Sequence, residues 1–184
     1  KAENVFLAFG KELEYAEPSA SEGKESVLKI QISTGEKSRV ATEKAKKICA
    51  VSENQMAVLH MECINEDEVI DNVGMSAVQA KYWITLYDTE EGKKQWSSVP
   101  YTVSGYTIPE TLLLRDMEIN GELKKVLVVS VKDRIQLIDA ENGTVIREGI
   151  FREDIVNVVQ ADKRRLLVGL SDGSVMIGTV EDMS

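Results

Sequence analysis

The sequence predicts an all-β fold made of repeated antiparallel strand units, and three observations carry this prediction. A strand–turn–strand cassette occurs twice, as YDTEEGKKQW at 87–96 and IDAENGTVIR at 138–147. Short apolar runs rich in Val, Ile and Leu alternate with turn signals along the chain, which is typical of strands. Long helical patterns are missing, and only 42–47 and 76–81 predict a turn or two of helix.

In each cassette an acidic residue ends an apolar strand and a glycine follows four positions later. The two pairs are Asp88 with Gly92 and Asp139 with Gly143. Glycine adopts positive φ without the steric cost of a Cβ atom, so we expect both glycines at left-handed positions in hairpin turns. A repeated turn of this kind indicates a modular β architecture.

The strands group into four units in chain order. In the third unit, a tight turn at Lys132-Asp133-Arg134 precedes the second cassette. The fourth unit restarts the series and has its corresponding turn at Ser171-Asp172-Gly173, 39 residues after the first. Loops at 10–26 and 65–81 interrupt the first and second units, and the second loop is acidic. The predicted units are about 4–42, 46–103, 111–152 and 155–180.

The strand patterns predict different degrees of burial. Val126–Val129 is continuously apolar, as expected of a strand buried on both faces. In the first unit, Leu28, Ile30 and Ile32 alternate with polar residues, which predicts an outer strand with one wet face.

Four short antiparallel strands per unit, with an Asp-x-x-x-Gly turn between the last two, resemble a β-propeller blade. Tyr87-Asp88 and Ile138-Asp139 fall where WD repeats carry Trp-Asp. The segment from Asp88 to Trp96 resembles the Asp-Ala-x-x-Gly-x-x-x-Trp turn of quinoprotein-like blades. The first unit departs from this pattern, because Ser33-Thr34-Gly35 lacks the acidic residue, and the Gly-His dipeptide of WD repeats is absent. Both subfamilies therefore stay open.

The resemblance implies a single partial β-propeller domain over residues 1–184, an incomplete ring of about three and a half to four blades. Closure is how a propeller avoids exposed strand edges, so we expect open edges at the first and last strands. The missing blades would come from an absent N-terminal segment, a separate fragment or a second copy of the chain.

Composition restricts the class of partner. The formal net charge is −9, which disfavours nucleic acid and anionic membranes as partners. Two basic clusters, at Lys44, Lys46 and Lys47 and at 163–165, are predicted to be solvated turns. We expect a protein partner, including the chain that completes the propeller, and no cofactor; a small-molecule ligand is disfavoured.

Cys49 and Cys63 both lie inside apolar runs, which predicts two reduced core thiols, although one disulfide between neighbouring strands is also compatible with the pattern. Two cysteines do not form a disulfide scaffold, so we expect a reducing, cytoplasmic location.

Candidate catalytic and metal sites have simpler interpretations. Gly169-Leu170-Ser171-Asp172-Gly173 matches the G-x-S-x-G motif of hydrolases, but a strand follows it and the one histidine, His60, precedes it, so we predict a hairpin. His60 is expected to be a core or edge histidine. Asn142-Gly143-Thr144 is a glycosylation sequon that we interpret as a turn. We therefore expect no enzymatic activity.

The best candidate binding residues are the aromatics Trp96, Tyr101 and Tyr106, which we place around a loop containing Pro100, Gly105 and Pro109. Trp83 and Tyr87 are expected to face the core. We predict a non-catalytic binding or scaffolding module for protein–protein interaction. The alternatives are part of a quinoprotein-like propeller enzyme and a sensor or regulatory repeat domain of a larger multidomain protein.

Overall fold

The computed structural model describes residues 4–9, 26–41, 44–65, 78–105 and 108–179. Throughout these ranges the regular elements are β-strands in antiparallel sheets, so the all-β prediction is confirmed. The strands are β1 Asn4–Phe9, β2 Ser26–Gln31, β3 Lys37–Ala41, β4 Ala45–Ser52, β5 Gln55–Asn65, β6 Val78–Asp88, β7 Lys93–Ser97, β8 Tyr101–Gly105, β9 Glu110–Ile119, β10 Glu122–Val131, β11 Arg134–Asp139, β12 Val145–Ile150, β13 Ile155–Gln160, β14 Arg165–Leu170 and β15 Val175–Thr179.

The two expected short helices are wrong where the structure describes them. Ala45 already belongs to β4 and Val78 begins β6; positions 42–43 and 76–77 lie outside the described residues. Helix propensity over a few residues is a weak preference, and pairing of β4 with β5 outweighs it.

Consecutive strands form four sheets. The sheet orders are β1-β2-β3, β4-β5-β6-β7 with β8 added to β6, β9-β10-β11-β12, and β13-β14-β15. Among the described connections, turns of two to five residues join neighbouring antiparallel strands, such as β4 to β5 and β10 to β11. Residues 10–25, between β1 and β2, and 66–77, between β5 and β6, lie outside the described residues. The described strands of these sheets lie within 4–41, 45–105, 110–150 and 155–179. That they are blades of one ring stays a prediction.

The chain divides into two compact units. The first contains Lys1–Glu62 and Trp83–Val99, and the second contains Cys63–Tyr82 and Pro100–Ser184. In the first unit, β2 and β3 contribute Val27 and Val40 to a core that also includes residues of β5 and β6. The buried members of this core are Val27, Val40, Met56, Val58 and Tyr87.

The second unit has its core between the β9–β12 sheet and the β13–β15 sheet. The stretch Val126–Val129 is fully buried, so the prediction of a strand covered on both faces is confirmed. One face of each sheet meets the other in a continuous aliphatic layer, as expected of packed sheets. Its buried members are Met117, Ile119, Val126, Val128, Ile135, Leu137, Ile155, Val158, Leu166, Val168 and Leu170.

The predicted cassette turns are confirmed. Gly92 and Gly143 have φ of 66° and 76°. In the second cassette the Gly143 N–H donates to the Asp139 carbonyl at 2.9 Å. The same bond recurs in the first sheet, where the Gly35 N–H donates to the Gln31 carbonyl at 2.8 Å. The β1–β3 sheet therefore has this backbone turn without the acidic residue.

The acidic residue of each cassette stabilises its turn through its side chain. Asp88 Oδ1 accepts hydrogen bonds from the N–H groups of Glu90 and Glu91, both at 2.9 Å. Asp139 Oδ1 accepts one from the Glu141 N–H at 2.9 Å. These are the local bonds by which aspartate favours turns.

The hairpin of β9 and β10 was not predicted from the sequence. Strands β9 and β10 pair over ten residues each and are joined by Asn120-Gly121, with φ of 53° and 81°. Two consecutive positive-φ residues are the signature of a type I′ hairpin turn, which Asn-Gly favours. The dipeptide was the missed signal, because the charged residues Glu122, Lys124 and Lys125 interrupt the apolar pattern beside it.

The interpretation of β2 as an outer strand is wrong. This strand lies in the middle of its sheet, between β1 and β3. Val27 is fully buried, whereas Ile32 lies in the following turn and is 55% exposed. The alternation of Ile30 and Ile32 therefore does not define one core face, since Gln31 ends the strand.

Candidate functional site

The predicted binding aromatics do not form one loop. Trp96 is half-buried in β7, opposite Leu86 of β6, in the first compact unit. Tyr101 is half-buried at the start of β8, in the second unit. Tyr106 lies outside the described residues. Each of the two described residues is therefore considered within its own unit.

The expected loop at 101–105 is wrong, because Tyr101–Gly105 is a strand that pairs with the first half of β6. Flanking Pro100 and Gly105 indicated a loop, but Tyr, Thr and Val between them favour a strand when a pairing edge is available. The proline precedes the strand, where it interrupts no ladder hydrogen bond.

Tyr101 belongs to a polar aromatic cluster, here called the Tyr101 cluster, formed by Tyr82, Tyr101, Glu110, Arg134 and Glu148. The rings of Tyr82 and Tyr101 stack with centroids 6.4 Å apart, and the Arg134 guanidinium lies 5.1 Å from the Tyr101 centroid. Arg134 Nη1 donates to Glu148 Oε1 at 2.5 Å, and the Tyr82 hydroxyl donates to Glu110 Oε1 at 2.9 Å.

Electrostatics in the Tyr101 cluster support a packing role. Burial raises the pKa of Tyr101 above its usual range, and Arg134 opposes part of this effect. Burial, together with the hydrogen bond to Glu110, also raises the pKa of Tyr82. Both phenols stay neutral at physiological pH, and Arg134 is held between the Tyr101 ring and Glu148. The cluster therefore joins β6, β8, β9, β11 and β12 within the second unit.

The basic cluster at 163–165 is solvated at the turn before β14, as predicted, and its two arginines pair with carboxylates. Arg164 forms an ion pair with Glu118, and Arg165 lies 2.6 Å from Asp162. The Arg164 hydrogen bond lowers the pKa of Glu118, and the Arg165 hydrogen bond lowers that of Asp162. The Lys163 carbonyl accepts a hydrogen bond from the Glu118 N–H at 2.7 Å.

The second basic cluster was placed wrongly. Lys46 and Lys47 lie in β4 rather than in a turn, and Lys44, just before the strand, forms an ion pair with Glu62. In this strand Lys46 is exposed and Lys47 is half-buried.

The cysteine prediction is partly wrong. Both cysteines are free thiols, but Cys63 is exposed and Cys49 is half-buried, so neither is a core residue. His60 is a core histidine, as predicted: it is 1% exposed and stacks on Trp83 with centroids 4.9 Å apart. Tyr87 is buried as expected, whereas Trp83 is half-buried.

The described part of the chain contains no cluster of three or more His, Cys, Asp or Glu residues able to hold a metal ion. The acidic loop at 66–71 lies outside this part. No helix among the described residues is long and apolar enough to cross a membrane.

The G-x-S-x-G match is a hairpin between β14 and β15, as predicted. The Gly173 N–H donates to the Leu170 carbonyl at 3.0 Å, and Gly173 has φ of 85°. The Ser171 hydroxyl donates to Glu153 Oε2 at 3.3 Å. A nucleophile elbow needs a helix after the serine, whereas β15 follows here.

A surface that the sequence reasoning missed lies on the β13–β15 sheet. In β15, Val175, Met176 and Ile177 are 67%, 51% and 58% exposed. Val156 and Val159 of β13 are also exposed. Several exposed apolar residues on one sheet of a folded domain indicate an interaction surface.

The open edge of β15 differs in charge from the last strands of three other sheets. In the other three sheets, the strands β3, β7 and β12 at the end of the strand order each carry two charged residues. These are Lys37 and Arg39 in β3, Lys93 and Lys94 in β7, and Arg147 and Glu148 in β12. Strand β15 reads VMIGT and carries none. Charged side chains protect exposed strand edges from pairing, so β15 lacks the usual protection.

The opposite edge of this sheet differs from β15. Strand β13 is also uncharged, but it meets the neighbouring sheet. The Ile155 N–H donates to the Lys132 carbonyl at 2.6 Å, and Gln160 Nε2 donates to the Asp116 carbonyl at 2.9 Å. Among the described residues β15 therefore forms the open side of the sheet. The signal in the sequence was the uncharged run Val175-Met176-Ile177 directly after a turn.

No family model and no curated protein matches the chain. Among solved structures it is similar to the crystal structure of BamB from Moraxella catarrhalis, at 9% sequence identity and a TM-score of 0.30. The match covers 84% of this chain and 66% of the BamB chain, so the chain spans less than two thirds of that protein. A likeness this distant carries no argument about function.

Proposed function

We propose that the chain is a non-catalytic protein-interaction module, built from sheets of the β-propeller type, that binds a protein strand at the open edge of β15. The observation that carries the proposal is the uncharged edge at which Val175, Met176 and Ile177 are half to two-thirds exposed. An exposed strand edge recognises an extended peptide by adding it as a further strand.

The neighbouring sheet supplies a template for this binding mode. In the β9–β12 sheet, β12 pairs antiparallel with β11, the strand that corresponds to β15 in chain order. The core residues of β11, from Ile135 to Ile138, are at most 8% exposed there. A strand added to β15 would occupy the position that β12 occupies beside β11.

Magnitudes indicate a weak interaction through the edge alone. Each new backbone hydrogen bond contributes about 0.5–1.5 kcal/mol. Covering the exposed parts of three aliphatic side chains adds about 1 kcal/mol each. Association costs about 4–15 kcal/mol in lost translational and rotational freedom, and this cost offsets most of the gain from the edge. A single strand therefore binds weakly, and a tight partner must also cover a face of the sheet.

The absence of catalysis is part of the proposal. It is supported by the hairpin at Ser171, which places the one hydrolase-like motif between two strands. It is also supported by the Tyr101 cluster, where each charged group has a partner inside the cluster. A protein partner fits the surface better than an anion does, because the exposed residues of β15 are aliphatic.

A β12 peptide tests the proposal. We expect a synthetic peptide with the sequence of residues 142–152, added at about 1 mM, to slow hydrogen exchange of the amides in β15. The control is the same peptide with Ile146→Pro, because proline cannot donate to the ladder. Unchanged exchange in β15 with the unmodified peptide, or equal protection by both peptides, would contradict strand addition.

A further inference from the structure

The β9–β12 and β13–β15 sheets are copies of one another in strand register. In the first, Ser130 pairs with Ile135 and Val128 with Leu137. In the second, Gly169 pairs with Val175 and Leu167 with Ile177. The residues of β10 and β14 in these pairs are offset by the same 39 positions that separate Asp133 from Asp172.

Equivalent residues in the two sheets have opposite exposure. Ile135 and Leu137 are fully buried, because their face packs against the β13–β15 sheet. Val175 and Ile177 occupy the same positions one sheet later and are 67% and 58% exposed. The face that is buried in the β9–β12 sheet is therefore exposed to solvent in the β13–β15 sheet.

This bare face extends across all three strands. Strand register places Val159, Leu167 and Ile177 in one row, and Asn157, Gly169 and Val175 in the next. Val159 is 47% exposed and Leu167 is half-buried. The first row is aliphatic from one edge of the sheet to the other, and we call the six residues the far face.

The one charged side chain in this register is Arg165, opposite Thr179 at the end of β14. It is engaged locally, since Arg165 Nε donates to Asp162 Oδ2 at 2.6 Å. The centre of the far face therefore offers shape and aliphatic surface without charge, which is the chemistry of a sheet–sheet interface.

We infer that the far face receives a further antiparallel β-sheet with an aliphatic face, stacked on β13–β15 as β13–β15 stack on β9–β12. The inference rests on the proposed function and names the partner that covers the face of the sheet beside the β15 edge. The same packing would continue from one sheet to the next, because Val175 and Ile177 occupy the positions that Ile135 and Leu137 occupy in the buried layer. The face of the partner sheet should resemble the face that contains Ile155, Val158 and Leu166, because that face packs against Ile135 and Leu137 in the layer between the two sheets.

The chain's own repeat provides the probe. Asp139 and Thr179 occupy equivalent positions, so residues 140–179 repeated directly after residue 179 would continue the register. In this extended chain a copy of β12 would lie beside β15, and a copy of β13–β15 would lie over the far face. We expect hydrogen exchange at Val175–Ile177 and in the copied β14 to slow at least about tenfold relative to unprotected strands.

The two parts of the extension separate the two proposals. Protection of both the copied β12 and the copied β13–β15 supports the stacked sheet. Protection of the copied β12 alone leaves strand addition intact and overturns the inference about the far face. Free exchange throughout the copied segment contradicts both. Val175→Thr with Ile177→Thr keeps strand propensity but removes apolar surface, so in the extended chain it should abolish protection of the copied β13–β15.

A second measurement uses the chain at its own length and does not depend on folding of the copy. The fluorescent dye 1-anilinonaphthalene-8-sulfonate is the probe, because it binds contiguous apolar surface. We expect Val175→Thr with Ile177→Thr to lower dye fluorescence at least about twofold. The matched control is Val145→Thr with Ile150→Thr in β12, whose residues are 43% and 66% exposed but separated, and it should leave the signal unchanged. Equal signals from the two variants would overturn the far face as a binding surface.

Discussion

Two glycines in the last hairpin allow backbone conformation to be tested apart from side-chain packing. Gly173 has φ of 85°, whereas Gly178, five positions later in β15, does not have positive φ. A Cβ atom built at either position meets nothing within 4 Å. Replacement of each by valine therefore adds no clash, and the two variants differ mainly in the backbone conformation that valine must adopt.

The expected magnitudes have opposite signs. A residue with a Cβ atom in the left-handed region costs about 1–2 kcal/mol, so Gly173→Val should destabilise the protein by about that amount. At Gly178 the backbone is extended, and valine reduces the entropy of the unfolded chain and favours a strand. We expect Gly178→Val to be neutral or to stabilise by up to about 1 kcal/mol.

Thermal unfolding followed by circular dichroism measures the difference. For a chain of this size about 1 kcal/mol shifts the melting temperature by about 2–4 °C, so Gly173→Val should melt about 2–8 °C lower than the wild type. Gly173→Asn should recover part of the loss, because asparagine tolerates the left-handed region. Equal melting temperatures for the two valine variants would refute the assignment of strain to the turn. Gly92→Val repeats the test in the first unit, where φ is 66°.

Three other predictions concern the core, the thiols and the turns. Leu137→Ala should destabilise by about 2–5 kcal/mol in urea unfolding, because Leu137 is fully buried in the layer between two sheets, and a loss below about 1 kcal/mol would contradict that packing. Iodoacetamide should modify the exposed Cys63 before the half-buried Cys49 in mass spectrometry, and the reverse order would contradict the burial of these residues. The Arg165 hydrogen bond lowers the pKa of Asp162 in the folded state, so its stabilising contribution is present above about pH 4 and is lost as the pH falls further. Asp162→Asn should reduce this acid dependence in melting temperatures measured between about pH 5 and pH 2, and an unchanged dependence would contradict it.

Local chemistry explains the features that the sequence determined by itself. Short runs of β-branched residues predicted an all-β chain, because they pack on a pleated surface and disfavour helices. Gly92 and Gly143 were predicted at positive φ because the steric freedom of glycine does not depend on distant residues. The hairpin at Ser171 was predictable for the same reason, since Asp172-Gly173 directs its own turn.

Features that depend on a neighbour were not predictable in this way. Tyr101 was expected in a loop, yet it begins a strand because the first half of β6 offers a pairing edge. Cys63 lies in an apolar run but is exposed, since a run of residues does not specify which face of a strand is covered. The aromatics were weighed by residue type, whereas the structure gives Tyr101 internal partners.

The candidate surface shows this distinction in one pair of sheets. The sequence fits Leu137 and Ile177 to the same position of a repeated strand, with similar volume and hydrophobicity. Tertiary structure buries Leu137 completely and leaves Ile177 58% exposed. Local sequence determines that each is an aliphatic strand residue. Burial is decided by whether another sheet lies over that face, because the hydrophobic gain depends on the surface removed from water and not on the residue alone.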